Sequence, residues 1–85
     1  MLDTNNTVIF DTKSLNNELV KKVLLDVFDA LEERGYNPIV QIVGYLVSGD
    51  LGYISNHREA RKKIQQLDRE QILEVLVTDF LKSNQ

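Results

Sequence analysis

Four cations crowd one short stretch, Arg58, Arg61, Lys62 and Lys63 within "HREARKKIQQL". A helix beginning at this point would add unpaired backbone donors and the positive end of its dipole, a combination that favours an anion. Arg58, Arg61 and Lys62 are therefore the candidate contacts for a phosphate or an acidic partner. The plainer reading is a wet helix face, because Glu59 interrupts the run. Reactive groups are otherwise sparse. The chain has one histidine, His57, no cysteine and no glycine-rich phosphate loop, so nothing in the sequence converges on catalysis. His57 follows a predicted helix cap and reads as solvated, and a metal site would need more ligands than this region offers. No cofactor or metal is expected. The carboxylate pairs Asp26 with Asp29 and Glu32 with Glu33 fall on the polar side of a helix and read as a solvated face.

Tyr36, Tyr45 and Tyr53 flank the centre of the chain. Tyrosine packs its ring while its hydroxyl finds a partner at the edge of a core, and it is also enriched in protein contact surfaces. These three are accordingly read as a core rim, with a partner surface as the alternative.

Eighty-five residues form one domain at most, and a chain of this size buries only about 60 to 65% of the surface its unfolded form exposes. The absence of cysteine removes disulfides as support. With ten basic and thirteen acidic residues the net charge is −3, which argues against general affinity for nucleic acid. The opening "MLDTNNTVIFDTK" has no basic leader, and no window approaches the roughly 20 apolar residues of a membrane span. A cytoplasmic location without membrane insertion is expected.

The strongest pattern is Leu15, Leu19, Val20, Val23, Leu24, Val27, Phe28 and Leu31, spaced by three and four along one helical face. It predicts a first helix from about 15 to 34, capped by Ser14 and ended by Gly35. Asn37 and Pro38 open a second helix, about 38 to 48, with an apolar stripe of Ile39, Ile42, Val43, Leu46 and Val47 that stops at Gly49 and Asp50. Asn56 and Glu59 have capping-box spacing before a third helix, and Asp68 and Gln71 repeat it before a fourth at about 69 to 82. Leu67 and Ile72 occupy hydrophobic-staple positions there.

The expected fold is all-α, a compact bundle of about four short helices spanning 14–85, with a flexible N-terminal tail over 1–13. Ile72, Leu73, Val75, Leu76, Val77, Phe80 and Leu81 are too many apolar residues for one intramolecular face of the fourth helix. The surplus, together with that of the first helix, predicts a homodimer.

The run "RGYNPIVQIVGYLVSGD" resembles the signature of the IreB family, small regulatory phosphoproteins of Gram-positive bacteria. The likeness extends to "VLLDVFDAL", Tyr53 with Ile54, Ala60 with Arg61, "LDREQI" and "FLKS". It implies a non-catalytic cytoplasmic regulator, phosphorylated near its N-terminus by a transmembrane Ser/Thr kinase that senses the cell envelope. Such a protein acts in cell-envelope stress and antibiotic tolerance through a downstream protein partner. The family's phosphorylated threonine corresponds to Thr7, which precedes Val8, Ile9 and Phe10; Thr4 corresponds to a second site found in some members. Leu51 and Ser55 replace prolines common in the family, which predicts a looser 49–55 loop, and Asn6 replaces an acidic residue. A phosphorylated tail is expected to fold back onto Arg58, Arg61 and Lys62. The second reading, from another class, is a small nucleic-acid-associated adaptor using the same basic patch.

Overall fold

The computed structural model describes the backbone of residues 6–84 and the side chains of residues 17–84. Four α-helices follow one another: α1 (Asn6–Glu33), α2 (Pro38–Ser48), α3 (Ala60–Gln65) and α4 (Arg69–Ser83). Two 3-10 turns, Leu51–Tyr53 and His57–Glu59, lie between α2 and α3. No strand occurs among the described residues, so the fold is the expected all-α bundle.

Helix α1 begins well before the predicted cap, and Ser14 lies inside it. No glycine or proline precedes Gly35, so no residue in this stretch forces the helix to stop. Of the expected tail, residues 1–5 lie outside the described residues and 6–13 belong to α1. At its other end α1 stops as predicted. Gly35 adopts φ +84, its N–H donates to the Glu32 carbonyl at 3.0 Å, and Tyr36 N–H reaches back to Leu31 O at 3.0 Å. That is the Schellman pattern, which ties off the last free carbonyls.

Asn37 then opens α2, its Oδ1 accepting from the N–H groups of Ile39 (3.1 Å) and Val40 (3.2 Å). Pro38 at the first helical position gives up no needed donor. Helix α2 ends at Gly49, φ +76, whose N–H donates to Tyr45 O at 2.7 Å. The next turn is closed by side chains. Ser48 Oγ donates to Gly44 O and accepts from Asp50 N–H, and Asp50 Oδ1 accepts from Gly52 N–H at 2.8 Å. Gln41 Nε2 donates to Tyr53 O at 2.9 Å, which pins the turn against α2.

Helix α3 departs from expectation. It is a six-residue helix starting at Ala60. Asn56 makes no side-chain cap bond. Instead Ser55 Oγ accepts from His57 N–H, and Asn56 O accepts from Glu59 N–H. Arg58 and Glu59 occupy the left-handed region at φ +56 and +59, which prevents one continuous helix from 57 to 67. Helix α4 starts where predicted, with Asp68 extended at the cap position. Its carboxylate makes no cap hydrogen bond, so the reciprocal capping box does not form. Its remaining contribution is charge near the helix's positive end, typically about 0.3 to 1 kcal/mol. Leu67 and Ile72, the staple pair, both enter the core.

That core consists of Val20, Val23, Val27, Ala30 and Leu31 of α1, Tyr45 and Leu46 of α2, Ile54, Ala60, Ile64, Leu67, and Ile72 and Val75 of α4. Helix α1 packs against all three others. The predicted α1 stripe is narrowed, because Leu19 is exposed and Phe28 half-buried, while Ala30 joins it. Of the predicted α2 stripe only Ile42 and Leu46 hold. Tyr45 and Leu46 face inward with Ile42 beside them, whereas Ile39, Val43 and Val47 point outward. Helix α2 is apolar around most of its circumference, and α1 covers only one side.

Gly44 is required for packing. A Cβ there would stand 2.5 Å from ring carbons of Tyr53, which packs against α2 at this position. Gly44→Ala should therefore lower the denaturant midpoint by an overpacking cost of about 1 to 3 kcal/mol. In a Tyr53→Ala background the same substitution should cost far less. Equal costs in both backgrounds would contradict this contact.

Candidate functional site

The basic cluster does not present itself as an open anion site. Arg58 Nη1 donates to Glu33 Oε2 at 3.1 Å, Arg61 Nε donates to Ile54 O at 2.6 Å, and Lys63 pairs with Asp26 at 3.6 Å. Lys62 is exposed and has no ionic or hydrogen-bonded partner among the described residues. The expected wet face is thus partly consumed in fastening α3 to α1 and to the preceding loop. This weakens the nucleic-acid reading. A short α3 that starts at Ala60 also removes the helix N-terminus that would have added donors beside Arg58.

Glu33 is the centre of the arrangement. Its Oε1 meets His57 Nε2 at 2.8 Å while its Oε2 takes Arg58, so one carboxylate at the end of α1 holds two consecutive side chains of the loop. The His57 hydrogen bond holds the Glu33 carboxyl below its ordinary range, opposed by partial desolvation and assisted by the Arg58 charge. His57, expected to be solvated, is half-buried against this carboxylate. Asp26 is also drawn out of the role of a free surface acid. Desolvation raises its carboxyl, but the bonds and charges of Lys22 and Lys63 outweigh this and hold it low. A further pair, Lys21 with Asp79 at 3.5 Å, joins α1 to α4.

The left-handed backbone of Arg58 and Glu59 sits directly beside the Glu33 clamp. Such a conformation costs an L-residue with a full side chain roughly 1 to 2 kcal/mol, and it persists only where the surroundings impose it. Sequence gave no sign of the clamp, since Glu33 and His57 are 24 positions apart.

Two apolar faces remain uncovered. On α2, Ile39, Val40, Val43 and Val47 are exposed, Val47 at 80%, and Tyr36 continues the patch. No charged residue occurs between Gly35 and Gly49. On α4, Leu73, Leu76, Val77, Phe80 and Leu81 recur at three- and four-residue steps and are all exposed. Leu19 and Leu25 add exposed apolar area on α1. The surplus expected on α1 and α4 is present, and that of α2 is an addition its all-round hydrophobicity concealed. The tyrosines separate accordingly. Tyr45 is 5% exposed and belongs to the core, whereas Tyr36 and Tyr53 keep 51% and 40% of their surface.

A groove between α1 and α4 is lined mostly by polar side chains, Asn17, Gln71, Glu74, Thr78, Asp79 and Lys82. Among the described residues no three metal-binding side chains cluster, and no helix is long and apolar enough to cross a membrane. Of the candidate phosphorylation sites, Thr4 lies outside the described residues, and Thr7 is in the first turn of α1, with its side chain outside them. Because Thr7 and Glu33 are on one helix, 26 steps of 1.5 Å place them about 39 Å apart. A tail folding back within one chain onto Arg58 is therefore incompatible with α1 as a continuous helix.

A family model described as IreB regulatory phosphoprotein matches residues 5–82. The match includes Thr7, the Glu33 clamp and nearly all of α4, and it begins just after Thr4.

The lowered Glu33 carboxyl fixes a pH dependence. A carboxylate depressed in the folded state adds stability above its unfolded value, about 4.3 for glutamate, and loses it as pH falls through the lower folded value. Glu33→Gln should therefore be less stable than the parent at pH 7, and the two urea midpoints should converge as pH falls through the lowered folded value. An unchanged gap across that range would show that the carboxylate charge is not what holds the loop.

Proposed function

This chain belongs to the IreB family of regulatory phosphoproteins, and from that premise we propose that it is a non-catalytic, kinase-controlled regulator that works by binding other proteins. The kinase is a transmembrane Ser/Thr enzyme that reports on the cell envelope. The regulator acts in the cytoplasm, in the response to envelope stress and antibiotics. The observation that carries this reading is the family match across residues 5–82, which runs through Thr7 and the whole core.

Physical chemistry supports the assignment of the parts. A helix terminus opens locally at little free-energy cost, so Thr7 in the first turn of α1 can enter a kinase cleft without disturbing Val20, Val23 and Val27 further along. Phosphate adds about −1.5 to −2 charges per site at neutral pH, comparable with the whole net charge of −3. The exposed apolar faces supply the docking area a binding protein needs. One of their occupants is a second copy of the chain, forming a homodimer; another is the downstream partner.

Incubation with the cognate kinase followed by mass spectrometry tests the premise. Phosphate is expected on Thr7, with Thr4 as a second site, and Thr7→Ala should remove the major product. Phosphate confined to Thr78 or Ser83, which lie within α4, would refute it.

A further inference from the structure

Residues 56–60 carry two incompatible instructions. Locally, Asn56 and Glu59 have the spacing of a reciprocal helix cap, and neither Arg58 nor Glu59 is a residue type enriched in the left-handed region. Left to itself this sequence would extend α3 backwards by one turn. The structure nevertheless places Arg58 and Glu59 at φ +56 and +59 and leaves the Asn56 side chain without its cap bond. The contact that opposes the local preference is visible: Glu33 grips His57 with one oxygen and Arg58 with the other.

We propose that residues 56–60 form a two-state segment, kinked or helical, and that the Glu33 carboxylate of α1 is the latch that selects the kinked state. The latch is accessible, since the side chains of Glu33 and Arg58 are 53% and 42% exposed, so it can be released without opening the core. Its release has a defined chemical consequence. In the kinked state the Arg58 guanidinium is neutralised by Glu33. In the helical state Arg58 and Lys62 lie four residues apart on one helix face, and the pair becomes a cationic patch that the latched protein lacks. The segment thus regulates how much positive charge α3 offers to an acidic partner, a level of control distinct from modification of Thr7.

The test is nuclear magnetic resonance on the full chain with Glu33→Ala. In the parent, Arg58 and Glu59 should give strong intraresidue cross-peaks between amide and α protons, because positive φ brings the two close. In E33A these should weaken, and helical cross-peaks from the α protons of His57 and Arg58 to the β protons three residues on should appear. Adding Glu59→Gly, which tolerates positive φ, should return the segment toward the kink; adding Asn56→Ala should remove the helical cross-peaks by deleting the cap. Unchanged cross-peaks in E33A would mean that packing alone fixes the kink, and loss of the old signals without helical ones would mean that no second state exists. Either result overturns the proposal. If E33A does not fold, Arg58→Gln removes one arm of the latch and is read in the same way. Loss of fold in both variants would make Glu33 a support of the core and not a latch.

Discussion

One helix face is the shared wall of this molecule. Val20, Val23, Val27, Ala30 and Leu31 of α1 are the inner surface on which α2, α3 and α4 all rest. A chain this short can build a single small core, and dividing one stripe among three helices leaves each only partly covered. Two consequences follow from that geometry. Helices α2 and α4 keep apolar sides turned outward, and the loop between α2 and α3, anchored in the core through Ile54, is fastened outside it by polar contacts. Glu33 with His57 and Arg58, and Arg61 with Ile54 O, are those fastenings.

The long uncharged run between Gly35 and Gly49 contains little reactive chemistry because much of it is joinery. Gly35 and Asn37 reverse the chain within a few residues. Gly44 admits the Tyr53 ring, Gln41 secures the turn behind that ring, and Ser48 with Asp50 closes the corner. Gly49 leaves room for Arg69, whose guanidinium donates to Leu46 O at 3.1 Å and so bridges the end of α2 to the start of α4. The rest of the run, Ile39, Val40, Val43 and Val47, takes no part in this joinery and faces outward. Joinery and exposed apolar surface are thereby interleaved in one helix.

What could be read from sequence was whatever a few neighbouring residues decide. The Gly35 stop, the Asn37 and Pro38 start and the Gly49 stop occur as expected because each depends on a cap and the backbone beside it. The break at Asp68 also falls where expected, although the cap bond that predicts it does not form. Asn56 failed as a cap because the outcome there is decided by Glu33, far away in sequence, and no local pattern records that partner. The inward side of α2 was misjudged on other grounds. With nearly every residue of that helix apolar, periodicity does not distinguish Tyr45 from Val43, and the choice falls to the neighbours. The candidate site was legible to a similar degree: the cations were found, but their partners Glu33, Asp26 and Ile54 O were not. The early start of α1 escaped notice because residues 6–13 carry no stop signal and no strong apolar repeat.

In the proposed homodimer, association completes the burial of a small core with two uncovered faces. Binding that favours the folded chain raises its apparent stability by mass action, so the most direct measurement is the thermal midpoint of the intact chain across protein concentrations from low to high micromolar. The account predicts a midpoint that rises steadily with concentration, together with a sedimenting mass twice that of the chain at the upper end. A midpoint independent of concentration with a monomer mass throughout would contradict it.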